Sequence, residues 1–143
     1  MLAIGPEHLP NPKHIIELVG AGSSFVAIEA GDVVGYAAID SRNFFGRDFV
    51  DLLYVDLANR RRGIGRRLME EAVRRSSTPR VFTSTNESNE PMRSLLAADG
   101  WVLSGVLDGL DEGDPEWVFF HDAVDIYGGG DQGSSIGSPD QSP

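Results

Sequence analysis

Arg60-Arg61-Arg62-Gly63-Ile64-Gly65 is the stretch from which the rest of the chain can be read. Before it stands an apolar run, Phe49 to Val55, with the composition of a strand. After it, Ile64, Leu68, Met69, Ala72 and Val73 recur at the spacing of one helix face over Gly63 to Ser76. Two glycines one residue apart let the backbone turn tightly where strand hands over to helix. The unpaired N–H groups of the helix's first turn then point at whatever lies in front of them, and they favour an anion. Arg60, Arg61, Arg62, Arg66 and Arg67 crowd the same helix start, although the macrodipole there prefers acidic residues. A bound phosphate compensates for that reversed preference.

Charge along the chain agrees. The 143 residues carry 12 basic and 22 acidic side chains, a formal charge of -10. From Arg60 to Arg80, eight of the eleven arginines face only Glu70 and Glu71, so this stretch is +6 and the remainder -16. A local anion site on an acidic body follows, and a nucleic-acid partner is disfavoured. The absence of cysteine excludes disulfides, thiolate zinc sites and a cysteine nucleophile. His8, His14 and His121 lack metal-ligand spacing, so no metal is expected. No apolar run approaches the ~18 to 20 residues of a bilayer span, and Met1 to Pro12 lacks the pattern of a signal peptide. The expectation is a cytoplasmic protein without a membrane partner.

An apolar fraction of 41% supports one folded domain, placed at residues 1–124. Residues 125–143 read as a disordered tail, since Gly128 to Pro143 holds five Gly, four Ser and two Pro around a lone Ile136. Within the domain, Pro12 to Val19 reads as a short helix. Phe25 to Glu29 and Val33 to Ile39, joined at Gly31-Asp32, read as a hairpin, and Phe49 to Val55 as a third strand. The helix of Gly63 to Ser76 leads to a strand at Arg80 to Thr85. A helix at Asn89 to Asp99 follows, with Asn89 as N-cap, Pro91 in the first turn and Met92, Leu95 and Leu96 facing inward. Strands at Trp101 to Leu107 and Glu116 to His121 close the order α-β-β-β-α-β-α-β-β, an α+β domain. Trp101, Trp117, Phe119, Phe120 and Tyr54 are expected to pack in the core.

Two phosphate-binding loops are set aside by spacing. A Walker loop needs Gly-x-x-x-x-Gly-Lys-Ser/Thr, and no Lys stands near this loop; a dinucleotide fingerprint needs Gly or Ala where Leu68 stands. The sequence resembles instead the GNAT superfamily of acyl-CoA-dependent N-acyltransferases, whose pyrophosphate loop is Arg/Gln-x-x-Gly-x-Gly/Ala. Arg60, Gly63 and Gly65 match that loop, and Leu52-Leu53-Tyr54-Val55 is similar to the family's strand that pairs with the pantetheine arm. Downstream, Asn89-Glu-Pro-Met92-Arg-Ser-Leu95-Leu96-Ala-Ala-Asp-Gly100-Trp101 resembles the family's Asn-x-x-Ala-x-x-Leu-Tyr-x-x-x-Gly-Phe segment. The resemblance spans Val26 to Phe120 and implies a mixed, mostly antiparallel sheet flanked by helices. Against that pattern the N-terminus reads as shortened, with Leu2 to Ile4 a remnant strand or the start lying upstream.

The resemblance further implies acetyl transfer from acetyl-CoA, as cosubstrate, to a primary amine of a small molecule or protein by direct attack. The coenzyme would be held by Leu53, Tyr54, Val55, Arg60, Arg61, Arg62, Gly63, Ile64, Gly65, Arg66 and Asn89. Main-chain N–H groups of Leu53 and Val55 would stabilise the oxyanion. Asp51 is the first candidate base, because a carboxylate in an apolar strand is costly unless paired or used, and alternation puts it in line with Leu53 and Val55. The alternative is that Asp51 lies on a solvated face or pairs with an arginine. The acidic turn Asp108 to Glu116 could attract a cationic acceptor, and His121 is a weaker base candidate. Leu96 replaces the family's thiolate-protonating Tyr, and Ser94 is a poor substitute one helical step away. That departure favours a second reading, an acyl-CoA-binding regulatory module with weak or no catalysis. A homodimer, common in the family, is not visible in the sequence, and the amine acceptor is unidentified.

Overall fold

A computed structural model describes residues 24–123. The expectations for the Pro12 to Val19 helix, for Leu2 to Ile4 and for the tail lie outside these residues. In chain order the elements are β1 (Ser24–Glu29), β2 (Asp32–Phe44), β3 (Arg47–Val55), a 3-10 turn (Leu57–Asn59), α1 (Ile64–Arg75), β4 (Arg80–Asn86), α2 (Glu90–Ala98), β5 (Val102–Leu107) and β6 (Glu116–Asp122). The six strands form one sheet in the order β1-β2-β3-β4-β6-β5, with β3 and β4 parallel and every other neighbour antiparallel. This is the mixed, mostly antiparallel α+β architecture that the sequence implies.

The strand β2 runs five residues beyond the expected Ile39. Asp40, Ser41, Arg42 and Asn43 give no apolar signal, and Asp40 turns its carboxylate onto the Arg42 and Asn43 amides at 2.8 and 3.3 Å. Phe45 and Gly46, both at positive φ (53° and 70°), then close the hairpin into β3.

The α1 helix is the crossover between the parallel strands β3 and β4, which lays it across one face of the sheet. Its Ile64, Leu68, Met69, Ala72 and Val73 join Val50, Leu53, Val55, Val81 and Phe119, and α2 adds Met92 and Leu96, in one buried cluster. Leu95, expected inward, is half-buried. On the opposite face Leu52 packs with Ala38 and Tyr36. Close approach of α1 depends on Gly35 of β2, where a Cβ would meet the Tyr54 carbonyl oxygen at 2.9 Å and Leu68 Cδ1 at 3.1 Å.

The parallel contact is short. Registered pairs between β3 and β4 run only from Asp48↔Val81 to Val50↔Thr83. There Thr83, fully buried, donates its side-chain hydroxyl to the Val50 carbonyl at 2.9 Å, so a side chain meets the acceptor where the ladder stops. Beyond this point the two strands part, leaving a gap bordered by Leu52 to Val55 on one side and Ser84 to Asn86 on the other.

Candidate active site

The gap opens toward the N-terminus of α1. Gly63 is the N-cap at φ 79°, in the left-handed region that favours glycine, and no side chain caps the helix. The first turn holds no acidic residue, so its amides face outward unneutralised. Gly65 makes a close approach: a Cβ there would lie 3.3 Å from Leu95 Cδ1 and 3.6 Å from Val55 Cγ2. The helix start therefore sits against the end of β3 and the side of α2.

Val55, Asn59, Arg60, Arg61, Gly63, Ile64, Gly65, Arg66, Pro91 and Leu95 line a cleft of about 370 Å³ at this junction. Arg60 reaches back to donate its Nε to the Val55 carbonyl at 3.2 Å, which fixes the guanidinium, while its Nη2 is buried with no hydrogen-bond partner. A buried, unpaired cationic donor is costly unless something anionic completes it.

The remaining arginines divide. Arg62 is drawn to Glu29 at 2.8 Å and Asn59 at 2.7 Å, and it does not line the cleft. Arg66 lines the cleft but is held by Asp99 at 2.9 Å and Glu70 at 3.2 Å. The hydrogen bond and charge of Asp99, then those of Glu70, raise its already high pKa. Arg67 leans to Glu29 at 3.5 Å. Thus Arg60 and Arg61 carry the cleft's uncommitted positive charge. Asn89 serves as the expected N-cap, its side chain accepting from the Met92 amide at 3.3 Å.

Along β3, Asp56 donates its amide to the Val34 carbonyl on β2 at 2.8 Å. Strand alternation then turns the amides of Tyr54 and Leu52 toward β2 and those of Leu53 and Val55 toward the gap. Asp51 stands differently from its expected alignment. The register steps from Ala38↔Leu52 to Ile39↔Val50, so Asp51 is the extra residue of a β-bulge. Val50 and Leu53, three residues apart, consequently both face the helices, and simple alternation no longer sets Asp51 in line with Leu53 and Val55. Asp51 is half-buried and engaged in an interaction of its own.

Among the expected core aromatics, Trp101 and Phe119 are buried, whereas Tyr54 and Phe120 are half-buried; the Tyr54 ring stacks near Tyr36 at 5.3 Å on the face away from the helices. Leu96 is fully buried in the core and Ser94 is exposed, so neither offers a hydroxyl to the gap. His121 places Nδ1 at 2.7 Å from the Asp122 carbonyl and its ring against Trp101.

The acidic turn is mostly exposed, but its last member is not. Glu116 is only 5% exposed, and its Oε2 accepts from the Ser84 hydroxyl at 2.7 Å. In the sequence Glu116 reads as one of several turn charges. The available signal was its place at the start of the apolar run Glu116 to His121, the same oddity that drew attention to Asp51.

Fold and site together define an α+β domain in which an uncapped helix start and a fixed arginine leave unpaired donors around one cleft. The chain belongs to the Acetyltransferase (GNAT) family, whose model matches residues 5–101. Mycothiol acetyltransferase of Saccharomonospora viridis is 35% identical over 93 residues, 64% of this chain and 27% of that protein. The chain thus spans about a quarter of that curated relative. A GNAT-family acetyltransferase from Bacillus cereus has a similar structure, with a TM-score of 0.75, 34% identity and 79% of each chain covered. A Salmonella typhimurium acetyltransferase, solved with its cofactor acetyl-CoA, shares the fold at a TM-score of 0.65 and 21% identity, over 83% of this chain and 75% of that one.

Proposed function

We propose that this chain transfers an acetyl group from acetyl-CoA to a primary amine by direct attack, without an acyl-enzyme. The observation that carries the reading is the buried, partnerless Nη2 of Arg60 beside the uncapped start of α1. Both are donors in search of an anion, and they converge on the cleft at the end of β3. A diphosphate fits this donor set: amides of the first turn supply directed hydrogen bonds, and Arg60 and Arg61 supply charge. The coenzyme, when bound, supplies the activated thioester.

The chain's own residues do the rest. In this reading the gap-facing amides of Leu53 and Val55 take the oxyanion. Pro91 and Leu95 close the apolar side of the cleft. A carboxylate must take the proton of an incoming ammonium, and two stand on strands near the gap: Asp51, just past the last β3–β4 pair, and Glu116. An Asp51→Asn variant with unchanged rate and pH profile removes Asp51 from that role.

The second reading, a coenzyme-binding regulatory module, draws on Leu96, whose buried side chain cannot protonate a leaving thiolate. A thiol with a pKa of about 8.5 can still leave unassisted or take its proton from water. Thiol release from acetyl-CoA in the presence of a panel of amines and peptides decides between them. Amine-dependent release supports the transferase. Coenzyme binding in calorimetry without release for any amine supports the module.

A further inference from the structure

Glu116 and Ser84 form a buried pair that the coenzyme site does not use. Val81 lies in the helix-side core, so alternation along β4 places Phe82, Ser84 and Asn86 on the opposite face. Ring contacts of Phe82 with Phe44 and Phe120 agree. Glu116 is the registered partner of Asn86 and shares that face. Ser84 is the first residue of β4 beyond the last pair with β3, so it stands at the edge of the gap, one step past Val50↔Thr83 as Asp51 is on β3. Its hydroxyl donates inward to Glu116 Oε2 at 2.7 Å, and its oxygen keeps lone pairs free to accept.

The pair is unusual for what it lacks. Among the described residues, the hydrogen-bond partner of Glu116 is Ser84, a neutral hydroxyl, and no arginine reaches the carboxylate. Ser84 is 6% exposed and Glu116 5%, so solvent compensates little. A carboxylate withdrawn from water without a cation costs stability, and such costs persist where the group has work to do. Beside the pair, Asp111 and Asp114 of the β5–β6 turn accept from Asn86 and Ser88, and Asp51 stands one residue past the last β3–β4 pair. Arg93 is turned to the Glu87 carbonyl and the Trp117 ring, which packs on the helix-side core, and Glu87 accepts from the Trp117 indole, so neither reaches the carboxylate.

We propose that Ser84 and Glu116 are a proton relay on the acceptor side of the gap, an assignment that rests on the acetyl transfer proposed above. The acceptor's ammonium gives one proton to Ser84 Oγ as Ser84 passes its own to Glu116 Oε2. The freed nitrogen lone pair attacks the thioester carbon; the C–N bond forms, the C–S bond breaks, and the second nitrogen proton leaves with the sulfur as the coenzyme's thiol. Glu116 returns its proton to solvent through its small exposed edge. Acceptors would be primary amines that arrive as ammonium ions.

Glu116→Gln preserves shape and can still accept from Ser84; Ser84→Ala removes the link. Both are compared with the wild type in thiol release with an amine from the panel, across pH, with melting temperature and acetyl-CoA affinity measured alongside. General-base assistance of this kind is worth about 100-fold or more. Each variant should therefore lose about that factor in kcat near neutral pH, with coenzyme affinity unchanged. The rate should recover as the pH rises toward the amine's own pKa, where the free base no longer needs the relay; a merely structural role would not give that recovery. Wild-type kcat and an unshifted pH profile in folded variants overturn the relay and leave acetyl transfer standing. Failure of the wild type to bind acetyl-CoA overturns the underlying reading itself.

Discussion

Replacing Arg60 by Ala separates ligand binding from folding. In the folded chain the Arg60 side chain makes one hydrogen bond, Nε to the Val55 carbonyl at 3.2 Å, and buries Nη2 without a partner. Removing that bond costs roughly 1 kcal/mol, and removing a buried unpaired donor returns roughly 1–3 kcal/mol, so net stability should stay within about 1 to 2 kcal/mol of the wild type. Binding has no such offset. A charge-assisted bond to a phosphate oxygen is worth about 1.5–3 kcal/mol, and at about 1.4 kcal/mol per tenfold the coenzyme should bind about 10- to 100-fold more weakly. Arg60→Lys should recover little, since a point ammonium reproduces neither the Nε anchor nor the Nη2 position. Calorimetric titration with coenzyme A, paired with thermal melts of each variant, reads both quantities. Affinity within threefold of the wild type for Arg60→Ala would refute the assignment of Nη2 to the anion.

Other consequences follow from single contacts. Gly35→Ala should destabilise by about 1–3 kcal/mol in chemical denaturation, because its Cβ would press on the Tyr54 carbonyl at 2.9 Å and main chain cannot rotate away; an unchanged midpoint would contradict that close approach. Asp48, 1% exposed, is pushed upward in pKa by burial, but bonds from Ser41, the Ser77 amide, Ser76 and Ser77 outweigh it, and the net pKa is lowered. Its contribution to stability is therefore complete above the ordinary value of 3.8 and is lost as pH falls through the lower folded value. Asp48→Asn should cost about 1.5–3 kcal/mol at pH 7 and flatten the fall of melting temperature below pH 4. A parallel pH profile for wild type and variant would count against it. Leu96→Tyr should not supply a working acid: the site is fully buried, so overpacking of about 1–3 kcal/mol in a denaturant melt is expected with no gain in thiol release.

The α1 segment was legible because two independent signals coincide. Its apolar spacing gives the buried face, and Gly63 and Gly65 give the turn and the close approach. The α2 boundaries were equally readable, since Asn89 caps and Pro91 starts the helix as their side chains dictate. The Asp40 to Phe44 end of β2 was hidden because its pairing rests on main-chain and Asx-type bonds that leave no apolar trace. The bulge at Asp51 was hidden for a related reason: an extra residue in one strand depends on the partner's register, which no local spacing records. Which arginines stay available was also a tertiary property, decided by Glu29 and Asp99 from distant parts of the chain. Glu116 was visible as a charge but not as a buried one, because the hydroxyl that holds it lies 32 residues away.

Main-chain amide resonances of the full chain, followed by NMR as coenzyme A is titrated in, address the grip of the α1 N-terminus directly. Saturable shifts should concentrate at Gly63, Ile64, Gly65 and Arg66, with the Arg60 side-chain Nε–H moving alongside and inorganic phosphate reproducing part of the pattern at higher concentration. Shifts that bypass these groups, or none at millimolar coenzyme, would contradict the site.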